Sequence, residues 1–509
     1  MKQLLALLCA LVLTAAAVAQ DMGKPTQVVE VWNNHTAPHS NGLECSGGTK
    51  NNRPQLTIET RIYLYTPKAE QANGRGVVIC PGGGYRHLSI ENEGARMAEW
   101  FAANGYVAAV LHYRMPNGHP EVPLEDAEEA IRLLRGKRAG IPAEWHCQQV
   151  GIVGSSAGGH LAAMTSTMGS ERPDFTLLFY PVISMDERVS HKYSCENFLG
   201  KEGQKNPELV RQFSTQNAVR RHLTPPALII TASDDRLVPF VTNGLEYYKA
   251  MRNAGNECVM HVYPSGDHGF GFGSFFKYHN QLLTDLGTWL DNREIPNNEA
   301  IRVACIGNSI TDGHGIDMAP QYAYPALLQK SLGKNYWVKN FGVSARTMLN
   351  KGDNPYMNEM AWRDALAFDP DIVIIKLGTN DSKPQNWQHG AEFKQDLVQM
   401  ITTLSPELAN LPKNKKKREQ ALAEATPKIY LCTPIPAFKA SWNINDEVIK
   451  NEIIPLQKEV AAEYGLNLID LHTLFAEDGD KMQTDGIHPN DRGLRRISDI
   501  IGGVLKENK

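Results

Sequence analysis

Val150-Gly151-Ile152-Val153-Gly154-Ser155-Ser156-Ala157-Gly158 joins a short apolar run to a Gly-Ser turn and then to small, helix-forming residues. The run reads as a buried strand and the residues from Ala157 onward as a helix. Between them lies G-x-S-x-G, in the strand–turn–helix setting that the motif requires. A sharp turn there needs small flanking residues, because a Cβ would collide with the neighbouring backbone. Such a turn lifts Ser156 Oγ out of the sheet. It also aims the first helical N–H groups, led by that of Ala157, at a developing oxyanion.

Working outward, the same alternation recurs on both sides. Gly76-Val77-Val78-Ile79-Cys80 and the runs 106–111, 175–180 and 227–232 read as strands. Residues 93–104 and 124–135 read as amphipathic helices. Repeated βα order predicts a mostly parallel sheet covered on both faces. Residues 292–300 are polar around Pro296, and a domain boundary is expected there. The alternation then restarts, with strands at 301–306, 337–340, 372–377 and 428–431 and a helix at 322–332. The lysine-rich run 413–418 reads as a solvated helix or loop. The expected division is a leader at 1–19, one domain at 20–295 and a second at 296–509.

Composition agrees with two globular domains. The chain has 509 residues, 42% of them hydrophobic and 21% charged, with a formal net charge of -4. That balance gives no basic face for nucleic acid and no polybasic membrane anchor. The first residues form a separate signal. Met1-Lys2 is a short positive region, 4–12 is apolar, and Ala17-Val18-Ala19 is a small-residue cleavage site. The apolar stretch is too short to span a bilayer, and no later run reaches the roughly 18 apolar residues a membrane helix needs. The expectation is therefore a periplasmic or secreted protein, cut after Ala19 and not inserted in a membrane. After that cut seven cysteines remain, none with C-x-x-C spacing, so neither a metal site nor any other cofactor is expected. Cys80 and Cys305 read as small core residues, and one disulfide among the others stays open.

The chemistry of the first domain extends beyond the Ser156 turn. Pro81-Gly82-Gly83-Gly84-Tyr85 follows a strand. Its glycines let the backbone approach a ligand and supply N–H donors, with Gly83 and Gly84 the candidates for an oxyanion. Downstream come Asp234-Asp235-Arg236-Leu237-Val238-Pro239 and Gly266-Asp267-His268-Gly269-Phe270. His268 would take the Ser156 proton while an aspartate fixes its tautomer. These blocks, with Tyr113-Arg114-Met115-Pro116, resemble the esterase branch of the α/β hydrolases that contains xylan-active and feruloyl esterases. The resemblance spans about residues 25–295. It implies Asp235 rather than Asp234 as the acid. His160, in the helix after the turn, reads as a residue packed under it. Pro81 stands where lipase-type HGGG motifs have His, which argues against a lipase.

In the second domain Gly307-Asn308-Ser309-Ile310-Thr311-Asp312-Gly313 follows a strand near the domain's start. Asp485-Gly486-Ile487-His488 comes near its end. The D-x-x-H spacing places the carboxylate within one turn of the imidazole, so Asp485 can hold His488 as a base toward Ser309. Gly342 and Asn380, each after a strand, would complete an oxyanion hole with the Ser309 N–H. Asp312 reads as a turn or cap residue. The four blocks resemble the SGNH or GDSL hydrolases over about residues 300–505, with Asn308 in place of the usual Asp. That resemblance implies a flavodoxin-like α/β/α domain after an α/β-hydrolase fold.

Together these readings predict a two-site serine esterase acting on an acylated polysaccharide or oligosaccharide. The expected reaction removes acetyl groups from xylan or a related glycan, with feruloyl or another acyl group as an option at one site. Two other readings stand beside it. One is a peptidase of the prolyl oligopeptidase type, which shares the Ser–Asp–His order but carries a propeller missing here. The other makes one domain an inactive glycan-binding module, against which both complete triads speak. The sequence assigns no oligomeric state.

Overall fold

A computed structural model describes residues 24–32, 36–51, 53–221, 223–292, 296 and 300–507. The leader expected at 1–19 and most of the connector expected at 292–300 lie outside the described residues. The chain divides into two compact units, with the main division between Trp289 and Leu290.

The N-terminal unit is built on an eight-stranded sheet. Across it the strands run Gln27–Glu30, Arg61–Tyr65, Val107–His112, Arg75–Cys80, Gln149–Ser155, Thr176–Phe179, Ala227–Ala232 and Cys258–Tyr263. Arg61–Tyr65 runs against its two neighbours and every other pair is parallel. The four central strands from Arg75–Cys80 to Ala227–Ala232 are buried almost throughout. Unbroken runs such as Val77-Val78-Ile79 are what a sheet covered on both faces demands.

Two helices differ from expectation. The helix placed at 124–135 spans Glu121–Leu134, since Pro123 in the first turn removes an N–H that has no intrahelical partner there. The stretch placed at 93–104 opens with a wide π turn, Glu91–Ala95, before the helix Arg96–Ala103. That turn buries Glu93.

The C-terminal unit carries a five-stranded, fully parallel sheet. Its order is Tyr336–Gly342, Ile301–Gly307, Ile372–Lys376, Lys428–Cys432 and Asn467–Ile469. This is the doubly wound 2-1-3-4-5 order of flavodoxin-like folds. Side chains alternate faces strictly. Ala304, Ile306, Val373 and Ile375 join one core cluster, while Val303, Cys305, Ile374 and Cys432 join the other. The helix Asp491–Glu507 covers the second cluster through Leu494, Ile497, Ile501 and Leu505. The chain reverses its winding beside Ile301–Gly307, so the crevice beyond that strand is where such folds place a ligand.

The helix expected at 322–332 is two, Ala319–Tyr322 and Tyr324–Leu332. Ala323 is extended between them, ahead of Pro325. The lysine-rich run forms the start of a helix, Lys415–Glu424, that buries no residue. Among the described residues no disulfide joins the seven cysteines from Cys45 onward, and Cys80 and Cys305 are buried. Among the described residues no helix is long and apolar enough to cross a membrane.

Candidate active sites

Ser156 sits at the junction of Gln149–Ser155 and the helix Ala157–Met168, with φ 54° and ψ -119°. A non-glycine residue holds positive φ only where its surroundings force it, and here they do. A Cβ on Gly158 would meet Cys80 O at 2.0 Å, and one on Gly154 would meet Gly158 O at 2.2 Å. The small flanking residues are thus required by contact.

The N-terminal relay is complete. Ser156 Oγ lies 2.8 Å from His268 Nε2, and His268 Nδ1 lies 2.7 Å from Asp235 Oδ2. The other oxygen of Asp235 accepts the N–H groups of Leu237 and Val238, both at 2.9 Å. Asp234 does a different job: it accepts the Asp267 N–H at 2.8 Å, beside His268. His160 is fully buried between the Tyr85 hydroxyl and Phe213 O, both at 2.8 Å. Burial pushes its pKa down to about 4, so it is a neutral packing residue.

Gly83 and Gly84 line one cavity of about 540 Å³ with Ser156 and His268. Both have positive φ, 134° and 63°. A Cβ on Gly83 would meet His87 O at 2.0 Å. Their N–H groups and that of Ala157 make no hydrogen bond among the described residues, which leaves them open to an anion. The loop is held from behind by Glu93, which no sequence signal marked. Glu93 Oε2 accepts the Gly82 N–H at 3.0 Å and Oε1 accepts the Tyr180 hydroxyl at 2.8 Å. Burial raises the Glu93 pKa, an effect offset in part by these two donors and by His268.

The C-terminal relay has the same dimensions on a different frame. Ser309 opens the short helix Ser309–Asp312, capped by Asn308, whose Oδ1 accepts the Ile310 N–H at 3.2 Å. Ser309 Oγ lies 2.8 Å from His488 Nε2, and His488 Nδ1 lies 2.6 Å from Asp485 Oδ2. Asp485 Oδ1 accepts the Ile487 and His488 N–H groups at 2.9 and 3.0 Å. Burial alone would raise the Asp485 pKa, but these donors bring it down to about 2. Burial lowers the His488 pKa, opposed by Asp485 and assisted by His314 and Lys376. The His314 ring lies 4.5 Å from that of His488.

One expected donor is not free. The Gly342 N–H donates to Asn340 Oδ1 at 2.8 Å, because the Asn340 side chain folds forward onto its own backbone and donates in turn to Thr311 O at 2.7 Å. The Asn380 amide spends one hydrogen on Arg346 O at 3.1 Å, and the other has no partner among the described residues. Asp381 pins the same loop by accepting the Leu349 and Met348 N–H groups at 2.8 and 3.1 Å. Asp312 accepts the Ser344 hydroxyl. Lys376 ends the central strand fully buried, and Nζ has no hydrogen-bond partner among the described residues. Burial lowers its pKa to about 8. Among the described residues no three His, Cys, Asp or Glu side chains gather as a metal site.

Residues 77–272 match the alpha/beta hydrolase fold family, and residues 305–496 match the GDSL-like Lipase/Acylhydrolase family. Over 442 residues the chain is 62% identical to an acetylxylan esterase of Xylanibacter ruminicola, covering 86% of this chain and 91% of that protein. Among solved structures, an acetyl ester-xyloside bifunctional hydrolase from Caldicellulosiruptor lactoaceticus is 28% identical. It covers 53% of this chain and 96% of its own, with a TM-score of 0.45. A propionate-bound thermophilic esterase from Thermogutta terrifontis is 24% identical, covering 53% of this chain and 94% of its own, with a TM-score of 0.39. The chain belongs to the family of the Xylanibacter acetylxylan esterase: it is a carboxylic ester hydrolase that joins an α/β-hydrolase domain to a GDSL/SGNH domain.

Proposed function

We propose that the protein removes acetyl groups from xylan or a related plant polysaccharide, by serine acyl-enzyme chemistry at two separate sites. The observation that carries this reading is the pair of complete relays, each with a serine Oγ 2.8 Å from a histidine Nε2. The 62% identity to an acetylxylan esterase supports the choice of acyl group and polymer.

The same steps run at each site. Ser156 or Ser309 attacks the acetyl carbonyl carbon while His268 or His488 takes its proton. The oxyanion is met by the Gly83, Gly84 and Ala157 N–H groups in one unit. In the other it is met by the Ser309 N–H and the Asn380 amide. The C–O bond to the sugar then breaks, and the histidine gives its proton to the departing sugar oxygen, which leaves as a hydroxyl. Water attacks the acetyl-serine, the histidine takes the water's proton, and acetate leaves as the serine is reprotonated. Asp235 and Asp485 hold the imidazoles and stabilise the imidazolium. The reaction balances without any redox partner.

The protein acts outside the cytoplasm in this reading, on the strength of the leader at 1–19. Sequencing the mature N-terminus tests that: it should begin at Gln20. The function itself is tested by acetate release from acetylated xylan by the wild-type chain and by Ser156→Ala and Ser309→Ala variants. Loss of a nucleophile should cost on the order of 10⁴-fold at its own site.

A further inference from the structure

Exposed arginines in the N-terminal unit are as a rule neutralised. Arg61 pairs with Glu59, Arg96 with Glu91, Arg188 with Asp186, Arg211 with Glu208 and Arg236 with Asp267, at 2.5–3.0 Å. Two are not. Arg53 and Arg86 are exposed, line the cavity that holds Ser156, and have no carboxylate partner among the described residues. Among the described residues the Arg53 guanidinium makes one hydrogen bond, to His87 Nε2 at 3.5 Å. Burial lowers the His87 pKa and both arginines lower it further, so three groups share one field and His87 stays neutral.

The acids nearby do not cancel this charge. Glu93 lines the cavity with both oxygens already engaged, and of the groups acting on it Arg53 has the smallest effect. Glu91 is committed to Arg96. His191, across the mouth, is held neutral by burial. The cleft therefore presents a cationic edge with no ion pair among the described residues over a serine nucleophile, where the low-dielectric wall strengthens its pull on an anion.

The surrounding shape is suited to a sugar chain. A second groove adjoins the cleft, sharing Arg53, Ser89, Asn92 and Gly269, and is lined also by Phe275. That ring is 76% exposed, and Tyr193 on the cleft is 67% exposed. Exposed aromatic rings in the lining of the cleft and of the second groove offer flat apolar faces to pyranose rings.

We infer that this groove is a subsite for an acidic glycan, in which Arg53 and Arg86 bind the carboxylate of a uronic acid residue close to the acetyl ester. The planar guanidinium fork matches a carboxylate geometrically as well as by charge. The inference rests on the acetyl-esterase reading of the Ser156 site and adds the class of glycan that the site prefers.

The test uses the full chain with Ser309→Ala, so that only the N-terminal site turns over. Its substrates are acetylated xylo-oligosaccharides with a uronic acid branch, and the same compounds with that carboxyl reduced to an alcohol. The KM for the acidic compound should be about tenfold the lower, equivalent to about 1.4 kcal/mol. The advantage should shrink in 0.5 M salt, where charges are screened beyond a few Å. Arg53→Gln with Arg86→Gln should bring the ratio of the two KM values close to one, a ratio unaffected by any loss of folded enzyme. Free glucuronate should compete weakly and only in the parent, because it lacks the ring contacts. Equal KM values in the Ser309→Ala chain, or an advantage that survives the double arginine replacement, overturn the subsite and leave the esterase reading intact. No acetate from either compound overturns both.

Discussion

Tyr180 donates its hydroxyl to Glu93 Oε1 at 2.8 Å, while its ring lies edge-on to that of His268 at 4.8 Å. The same hydroxyl accepts the Gly271 N–H at 2.8 Å. One buried carboxylate thus ties the glycine loop, through Gly82, to the segment that carries the base. Glu93 touches no reacting atom and acts by holding two elements in register.

Replacing Glu93 should therefore damage turnover more than binding. In the Ser309→Ala background, Glu93→Ala should lower kcat by about 10²-fold, the scale seen when an oxyanion donor is lost. Glu93→Gln keeps an acceptor for Gly82 and should retain most of the rate. Steady-state kinetics on a small acetate ester separate the two. Equal losses in both variants would mean that the carboxylate charge, and not its positioning, matters.

The C-terminal site should tolerate acid better than an ordinary histidine base. His488 must be neutral to accept the Ser309 proton, and burial holds its pKa below 6.5. Activity of the Ser156→Ala chain should thus persist at pH 6.5 and fall only below it. A pH profile of kcat/KM measures the acid limb directly. An inflection above 6.5 would contradict the burial argument.

Lys376 should cost the C-terminal unit stability. Its amine is fully buried and has a pKa near 8, against 10.5 for a free side chain. The folded chain binds this proton less tightly than the unfolded chain does. The penalty is therefore full below about pH 8 and fades as pH rises toward about 10.4. Lys376→Met should stabilise on the order of 3 kcal/mol at pH 7, and much less at pH 10. The denaturant midpoint for loss of Ser309-dependent activity reads this out. The same replacement removes a positive neighbour of His488 and should move the acid limb upward.

Glycine replacements should sort by contact. A Cβ on Gly158 would strike backbone, whereas one on Gly287 in the helix His279–Asp291 meets nothing within 4 Å. Gly158→Ala should abolish Ser156 activity. Gly287→Ala should raise stability by about 0.5–1 kcal/mol through helix propensity. Thermal denaturation and the Ser309→Ala assay decide both.

Both relays were legible in the sequence because their parts are short and their order is dictated by the fold. Asp485 and His488 are three residues apart, and Asp235 was separated from Asp234 by the resemblance to the α/β-hydrolase esterases. The fold class followed from strand runs too apolar to face water. Glu93 was not legible, since its partners lie 11 and 87 positions away and a π turn is needed to bury it. Lys376 did leave a signal: a lone charge closing the apolar run 372–375 on a central strand has nowhere to go but inward. Asn340 intercepting the Gly342 N–H depends on a side-chain rotamer, which no spacing records.

The central claim is that two independent serine sites work in one chain. Acetate release from acetylated xylan by Ser156→Ala, Ser309→Ala and the double variant tests it most directly. Each single variant should keep a substantial part of the wild-type rate, and the double variant should fall by about 10⁴-fold or more. If one single replacement alone abolishes all acetate release, only one relay is catalytic and the two-site account is wrong.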